Sequence, residues 1–560
     1  RHINEKHTAG KMNNEETSIL QNQSESESET SDDFLNTNQN SSQFDVDDIG
    51  EFVHDHGIAS SMVVEYEKVI EACGYGWFQR ILLLVCGWAF VSDSIEIQVV
   101  SFVIPAACDL GMTSSEKGWL NGIIFVGMMI GGYAFGGAAD IKGRRLVLIY
   151  SLAINGIFGL LSSFASTFTW FIVFRWASGI GVGAALPVLF SYFAEFISRD
   201  IRGPMIEMLA SFLLLGNIMT AGGAWSIIPY KTFWFAGSSI RSWRIFVALF
   251  SLPALSSAVL FVFMPESPKF LVRMGRIDEA KKVFQRIWKT NHRNKKDLPP
   301  LIQNMSFYDE IKGNSINISM HKVFSSTMEL FGKYRRKSTL SLLIIWFTMA
   351  FAYYGLWMWL PEIYNRMESY QVSVCQTPIH MKISGLKFTR RSNDTFNDTI
   401  SPCQIEDFSP TNNDVFLKTF LIAISNIPGA LLTIFAIDKV GRRNLLASSM
   451  SCSGLSVLFF LLVRNDIEMM SMSCVFSGLS VVSWNVLNAI ALENYPTHLR
   501  STAFGLQTSV GRIASILGNI VFGLLVDVQC TVPLILVTIS FIIGGIASFL
   551  VPKTDYNLLS

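Results

Sequence analysis

The 560-residue chain is half hydrophobic, only 16% charged, has a mean hydropathy of +0.37 and carries no net charge. That balance excludes a string of soluble domains and points to a polytopic membrane protein. Zero net charge says nothing about partners, so the placement of charge along the chain carries the information.

Residues 1 to about 73 hold 16 Asp/Glu against 4 Lys/Arg and include a Ser-Glu repeat at Ser24–Glu29. This composition predicts a disordered acidic tail over 1–76, able to dock a basic cytosolic partner or to act as a solvated spacer. The tail lacks the basic start and apolar core of a signal peptide, so the first hydrophobic helix is expected to do the targeting.

Twelve apolar runs of bilayer-spanning length follow, near 79–104, 117–139, 146–166, 168–191, 205–228, 243–264, 338–361, 415–437, 445–463, 467–491, 501–527 and 531–551. The fold class is therefore an all-α membrane protein. Residues 77–264 form one six-helix half and 338–552 a second, with a basic linker at 265–337 and a short tail at 553–560.

The linker holds 16 Lys/Arg against 7 Asp/Glu, and basic residues also favour the short loops on the side of the termini. Both termini are accordingly expected in the cytoplasm. Within the linker, Ala280, Val283, Phe284, Ile287 and Trp288 line one face of an amphipathic helix, which could lie on the inner leaflet or brace the bundle.

The loop at 364–416 faces the other side. It carries acceptor sequons at Asn393 and Asn397 and a possible disulfide between Cys375 and Cys403. Elsewhere the cysteines and histidines lack metal-ligand spacing, so no metal site is expected. No phosphate-cradling G-x-x-x-x-G-K-[ST] loop is present, which argues against ATP-driven transport. No nucleophile–base pair suggests an enzyme, and neither a cofactor nor a nucleic-acid partner is expected; membrane lipids and a small-molecule substrate are.

A charged turn, Asp140 to Arg145, interrupts the second and third runs and recurs as Asp438 to Arg443. Asp140 and Asp438 lie 298 residues apart, and so do Glu195 and Glu493, so the chain reads as a duplication. Gly143 and Gly441 permit the tight turn, and the Arg residues can bridge carboxylates on neighbouring helices. A topology signal with no moving part is the plainer alternative. Gly127 with Gly131, Gly132 with Gly136 and Gly179 with Gly183 are spacings that let helices approach closely.

The repeated D-x-x-G-R-R turn and Pro265-Glu266-Ser267-Pro268 resemble the major facilitator superfamily and its sugar-porter-like branch. Tyr353-Tyr354-Gly355-Leu356-Trp357, Ser483-Trp484-Asn485 and Glu493-Asn494-Tyr495-Pro496 narrow the resemblance to the synaptic vesicle glycoprotein 2 group, over roughly residues 75–552. The resemblance implies a cytoplasmic gate built from Asp140, Gly143, Arg144, Arg145, Glu195 and Arg202 with Asp438, Gly441, Arg442, Arg443, Glu493 and Arg500.

It also matches Trp225 and Trp484 to the tryptophans of a central ligand pocket, with Asn488 where vertebrate members of the group carry an acid. Without it, two tryptophans in apolar helices read as packing anchors. Asp93, Glu96 and Arg175 lie at similar depth in the first and fourth runs, and Asp93 and Glu96 share a helix face, so both could meet Arg175. The resemblance makes them a proton-coupling pair; a static salt bridge is the alternative. The loop at 364–416 is too short for the strand-rich domain of vertebrate members.

Two functions stay open. One is a secondary transporter of a small polar organic solute by alternating access, with proton coupling. The other is a non-transporting vesicle regulator or trafficking protein on a transporter scaffold. The implied location is a secretory or synaptic vesicle membrane or the plasma membrane.

Overall fold

A computed structural model describes residues 66–230, 232–235, 238–292, 299, 327–333, 335–370, 413–463 and 465–552. The acidic stretch before residue 66, Asn393, Asn397, Cys375, Cys403 and the final tail lie outside the described residues. The chain divides into residues 1–66 and 67–560, and everything below concerns the second unit.

Twelve helical spans run in sequence. The first half comprises Trp77–Val103, Ser114–Lys142, Arg144–Ser162, Phe168–Ala194, a fifth span in two pieces (Arg199–Ala210 and Phe212–Ile227) and Ser242–Phe263. The second comprises Arg336–Trp357 continued by Leu360–Tyr370, Asn413–Ile424 continued by Asn426–Val440, Arg442–Phe459, Asp466–Glu493, Thr497–Gln529 and Thr531–Ser548. A hairpin of β1 (Thr232–Phe235) against β2 (Ser238–Arg241), with Thr232 opposite Arg241, joins the fifth and sixth spans.

Eleven of the spans are long and apolar enough to cross a membrane. The ninth, Arg442–Phe459, falls below that level of hydropathy because Arg442, Arg443 and Asn444 open it and serines dilute the rest. Ser449, Ser453 and Ser456 are buried, and each donates to a carbonyl oxygen of its own helix, so the polar atoms do not face hydrocarbon unpaired.

The seventh span runs on to Tyr370, beyond the end near 361 expected from hydropathy. Its added turns carry Glu362, Arg366 and Glu368, which lowered the apolar signal and hid the helix.

Close packing follows the small residues. A Cβ added at Gly179 would lie 2.5 Å from the Ile124 carbonyl oxygen, so spans two and four touch backbone to backbone. Gly127, Gly131 and Gly183 lie in the same seam, whereas Gly132 faces Arg512 of span eleven and nothing lies within 4 Å of a Cβ at Gly136. Between the halves, spans two and eleven meet where a Cβ at Gly118 would lie 2.8 Å from the Asn519 carbonyl oxygen. Spans five and eight meet through Trp225, stacked on Phe420 at 5.6 Å.

The linker helix Ile277–Asn291 buries Ala280, Val283, Phe284, Ile287 and Trp288. Asn291 accepts from the Phe78 amide at 3.0 Å and donates to the Gly74 carbonyl at 2.9 Å, pinning the entry to span one. The amphipathic helix therefore braces the protein with its apolar face instead of offering that face to lipid. Residues 67–73, counted with the acidic tail from composition, are helical.

Cys108 and Cys530 are disulfide-bonded, while Cys73, Cys86, Cys452 and Cys474 are free. Cys108 opens a short 3-10 helix (Cys108–Leu110) after span one, and Cys530 lies in the turn between spans eleven and twelve.

The two copies of the charged turn share one conformation. Gly143 has φ 102 and ψ 149, and Gly441 has φ 81 and ψ 137. Such a backbone is nearly closed to residues with a Cβ and costs them about 1–3 kcal/mol. Gly143 carries a second constraint, since a Cβ there would strike Glu266 Oε2, whereas nothing lies within 4 Å of one at Gly441. Gly143→Ala should therefore lower the unfolding temperature of detergent-purified protein more than Gly441→Ala does. Equal losses would mean that Glu266 does not hold the first turn.

Candidate functional site

Charged side chains gather in three layers of the bundle. On the face carrying the termini, the first turn packs against the segment after span six. Glu266 Oε1 accepts from the amides of Arg144, Arg145 and Ser267 at 3.0, 3.0 and 2.9 Å, so a carboxylate caps the positive end of the third helix. Arg144 pairs with Glu195 at 2.8 Å and, more loosely, with Asp140 at 3.5 Å. Ser267 donates to Glu195 as well. Arg145 turns away and caps the end of span six through the carbonyls of Phe261 and Val262.

Arg202 does not join Glu195. It pairs with Glu67 at 2.7 Å and donates to the Ala194 and Ile197 carbonyls, closing the end of span four. In the second copy Arg442 pairs with Glu493, and Arg500 acts on the same carboxylate. The Arg443 guanidinium lies 6.0 Å from the Phe549 ring centroid, and the Asp438 side chain lies outside the described residues. These pairs on the terminal face stay within one half or join it to the adjoining segments.

At mid-depth, Arg175 donates to Glu96 at 2.7 Å and to Ser162 Oγ at 2.8 Å, and Ser178 donates to Glu96. Asp93, expected alongside, does not reach Arg175. It accepts from Asn155 at 3.4 Å and its Oδ2 finds no partner, although only 1% of the residue is exposed. Span one therefore aims one carboxylate at an arginine and leaves the other with an amide. Residues i and i+3 point about 60° apart around the helix, enough to give the two carboxylates different neighbours.

The opposite face holds a network that the sequence reading did not single out. Lys117 at the start of span two pairs with Glu362 of span seven at 2.7 Å, joining the halves. Arg366 pairs with Glu362 at 3.0 Å and with Asp527 of span eleven at 2.8 Å, and donates to Ser114 Oγ at 2.8 Å. Lys418 closes the edge with Glu368 at 2.6 Å and Asp466 at 3.0 Å. Among the described residues, Lys117–Glu362 is the ion pair that crosses between halves. Just inside this network lies a cavity of about 20 Å³ between spans one, five, seven and eight, lined by Gln98, Trp357 and Thr419 among others. The i, i+4 spacing of Glu362 and Arg366 was the available signal.

The expected tryptophan pair is not brought into one ring cluster. Trp225 sits near the far end of span five, 37% exposed. Trp484 packs with Trp346, Tyr353 and Tyr354 at 5.5–5.9 Å between ring centroids. Asn488, one turn further along span ten, is half-buried. Among the described residues no group of His, Cys, Asp and Glu could hold a metal ion.

Twelve helices in two matched halves, meeting along spans two, five, eight and eleven, define a major facilitator carrier fold. The chain belongs to the family described as Sugar (and other) transporter, whose model matches residues 52–381, and the Major Facilitator Superfamily model matches 393–557. It is 31% identical to synaptic vesicle glycoprotein 2C of Mus musculus, over 88% of this chain and 81% of that protein. It is 32% identical to synaptic vesicle glycoprotein 2B of Homo sapiens, over 88% and 86%. The inward open structure of the xylose transporter XylE from E. coli shares the fold with a TM-score of 0.60 at 15% identity, covering 86% of this chain and 98% of that one.

Burial raises the Glu195 carboxyl above its ordinary 4.5, with Arg144 and Ser267 pulling it back. A carboxyl that holds its proton more tightly folded than unfolded contributes stability that is fully present below the unfolded value and is lost as pH rises through the folded one. The unfolding temperature of the parent should therefore fall relative to Glu195→Gln as pH rises above the ordinary carboxyl value of 4.5. A gap between the two that does not change with pH would show that Glu195 titrates as an exposed carboxyl.

Proposed function

We propose that this protein is a secondary transporter of a small polar organic solute, coupled to protons, that works by alternating access between its two halves. The observation that carries this reading is the unequal distribution of ion pairs. The pairs on the terminal face hold each half to itself or to the adjoining segments, while Lys117–Glu362 ties one half to the other at the opposite face. A bundle tied at one face is free to part at the other, and exchange of the tie between faces is alternating access. The excess of Lys/Arg on the terminal face supports a cytoplasmic location for both termini.

Asp93 is the proton carrier in this reading. Glu96 is engaged by Arg175 and Ser178, which leaves Asp93 as the mid-depth carboxylate free to change its partner. Arg175 then serves as a fixed counter-charge on span four. The vesicle proteins among the relatives favour a second reading, a regulator of secretion that retains the scaffold without flux. Reconstituted protein separates the two, because a regulator gives no solute uptake under any imposed gradient.

Two outcomes are expected. Asp93→Asn should abolish accumulation driven by a proton gradient and leave equilibrative exchange intact; accumulation at the parent level would assign the mid-depth cluster a purely structural role. Glu362→Gln strands Lys117 and leaves Arg366 to Asp527 and Ser114, and it should shift the halves toward opening on the far face by about 1–3 kcal/mol. Labelling of a Gln98→Cys reporter by an impermeant thiol reagent from that side should rise several-fold, and an unchanged rate would remove Glu362 from the gate.

A further inference from the structure

Arg512 is the sixteenth of the 33 residues of span eleven, about 23 Å along the helix from its start. That places a permanent cation near the middle of the bundle, at the seam with span two. Its Nη1 donates to the Met128 carbonyl across the seam at 2.8 Å. Gly132, one turn further along span two, makes the room, since a Cβ there would lie 2.9 Å from the same nitrogen.

No carboxylate answers this charge among the described residues. The groups that act on Arg512 electrostatically are the hydroxyls of Tyr354 and Tyr133, and its Nε and Nη2 donate to nothing described. Tyr133 is held in turn by Ser509, 3.0 Å away and one turn from Arg512.

The aromatic neighbours add donors as well. Tyr354 packs on Phe125 at 4.9 Å and on Trp484 at 5.9 Å, and Trp484 packs on Trp346 at 5.5 Å. The indole nitrogens of Trp484 and Trp346 are both buried without a hydrogen-bond partner, and Trp346 is only 5% exposed. Asn488, four residues from Trp484 and so on the same helix face, is neutral and supplies no compensating charge.

An arginine fork, two idle indole donors and a wall of aromatic rings form a site that lacks an anion. A guanidinium presents parallel N–H groups that match the two oxygens of a carboxylate, and a cation held near the bilayer centre without a counter-charge is costly until one arrives. We propose that Arg512 is an anion anchor at the seam of spans two and eleven and that the transported solute is a small organic carboxylate, its apolar body packed against Tyr354 and Trp484. This inference rests on the transporter reading for its biological meaning. The site itself stands on geometry alone.

Binding to the full-length protein in detergent tests the proposal without requiring flux. The probes are benzoate and its neutral isostere benzamide, compared by thermal stabilisation and by titration. Benzoate should stabilise the parent and bind at least tenfold more tightly than benzamide. Arg512→Gln should abolish that preference, and Arg512→Lys should keep part of it as a point charge. Equal binding of the two probes, or none by benzoate, would overturn the proposal from the parent alone, whatever the folding of the variants. Carboxylate preference in a protein that moves no solute would sink the transporter reading and leave this site standing. Robust uptake of neutral solutes, unchanged in Arg512→Gln, would do the reverse.

Discussion

Hydrocarbon offers a buried charge neither solvent nor counter-ion, so an ionic group inside this bundle is matched by another part of the protein or stays costly until a ligand matches it. That constraint sorts the structure into layers. On the terminal face Glu266 sits on a helix start and Arg145 and Arg202 on helix ends, as the dipoles prefer, while Glu195 and Glu493, which stand at helix ends, are each held by an arginine. At mid-depth one arginine is closed by Glu96, Ser162 and the face of Phe171, and Ser178 donates to the same Glu96. On the opposite face cations and anions interleave across the halves. Packing follows from the same rule, because small residues bring backbones close enough for side chains on different helices to reach one another.

Much of this was legible in the sequence. Span length and hydropathy located the helices, and the 298-residue offset gave the duplication and the shared glycine turn. Asp93, Glu96 and Arg175 were recognisable because charge within an apolar run is conspicuous. Their division of labour was not, since two carboxylates on one broad helix face differ in partner by a rotation that only packing sets. The far-face network stayed hidden for another reason. Lys117, Glu362, Arg366 and Asp527 come from three spans, and each stands at a helix end where charge is ordinary. Trp225 and Trp484 show the converse: similar residues in plausible spans, which the depth of each along its helix keeps in separate ring clusters.

Arg512 passed unremarked in the sequence because one arginine in a long run with a serine-rich face resembles a solvated residue. Its meaning depends on what surrounds it, and none of its neighbours in space is near it in sequence. Met128 and Tyr133 come from span two, and Tyr354 comes from span seven. Only the fold shows that the titratable side chains facing it are tyrosines and not carboxylates.

The duplication makes the differences between the copies informative. Both turns use a glycine with positive φ and both set an arginine on a carboxylate at the end of the fourth helix of their half. In the first copy the linker adds Glu266 and Ser267, which fill the space above Gly143, cap the next helix and bond Glu195. In the second copy nothing among the described residues lies within 4 Å of a Cβ at Gly441, and Glu493 is about a quarter exposed, where Glu195 is almost closed. A carboxylate pair open to water gains less from its contact than a buried one and is cheaper to separate. If the halves rock against each other, the first turn moves as a rigid corner with the linker brace behind it. The second turn, with no such brace among the described residues, is the one whose ion pair can break and re-form within the cycle.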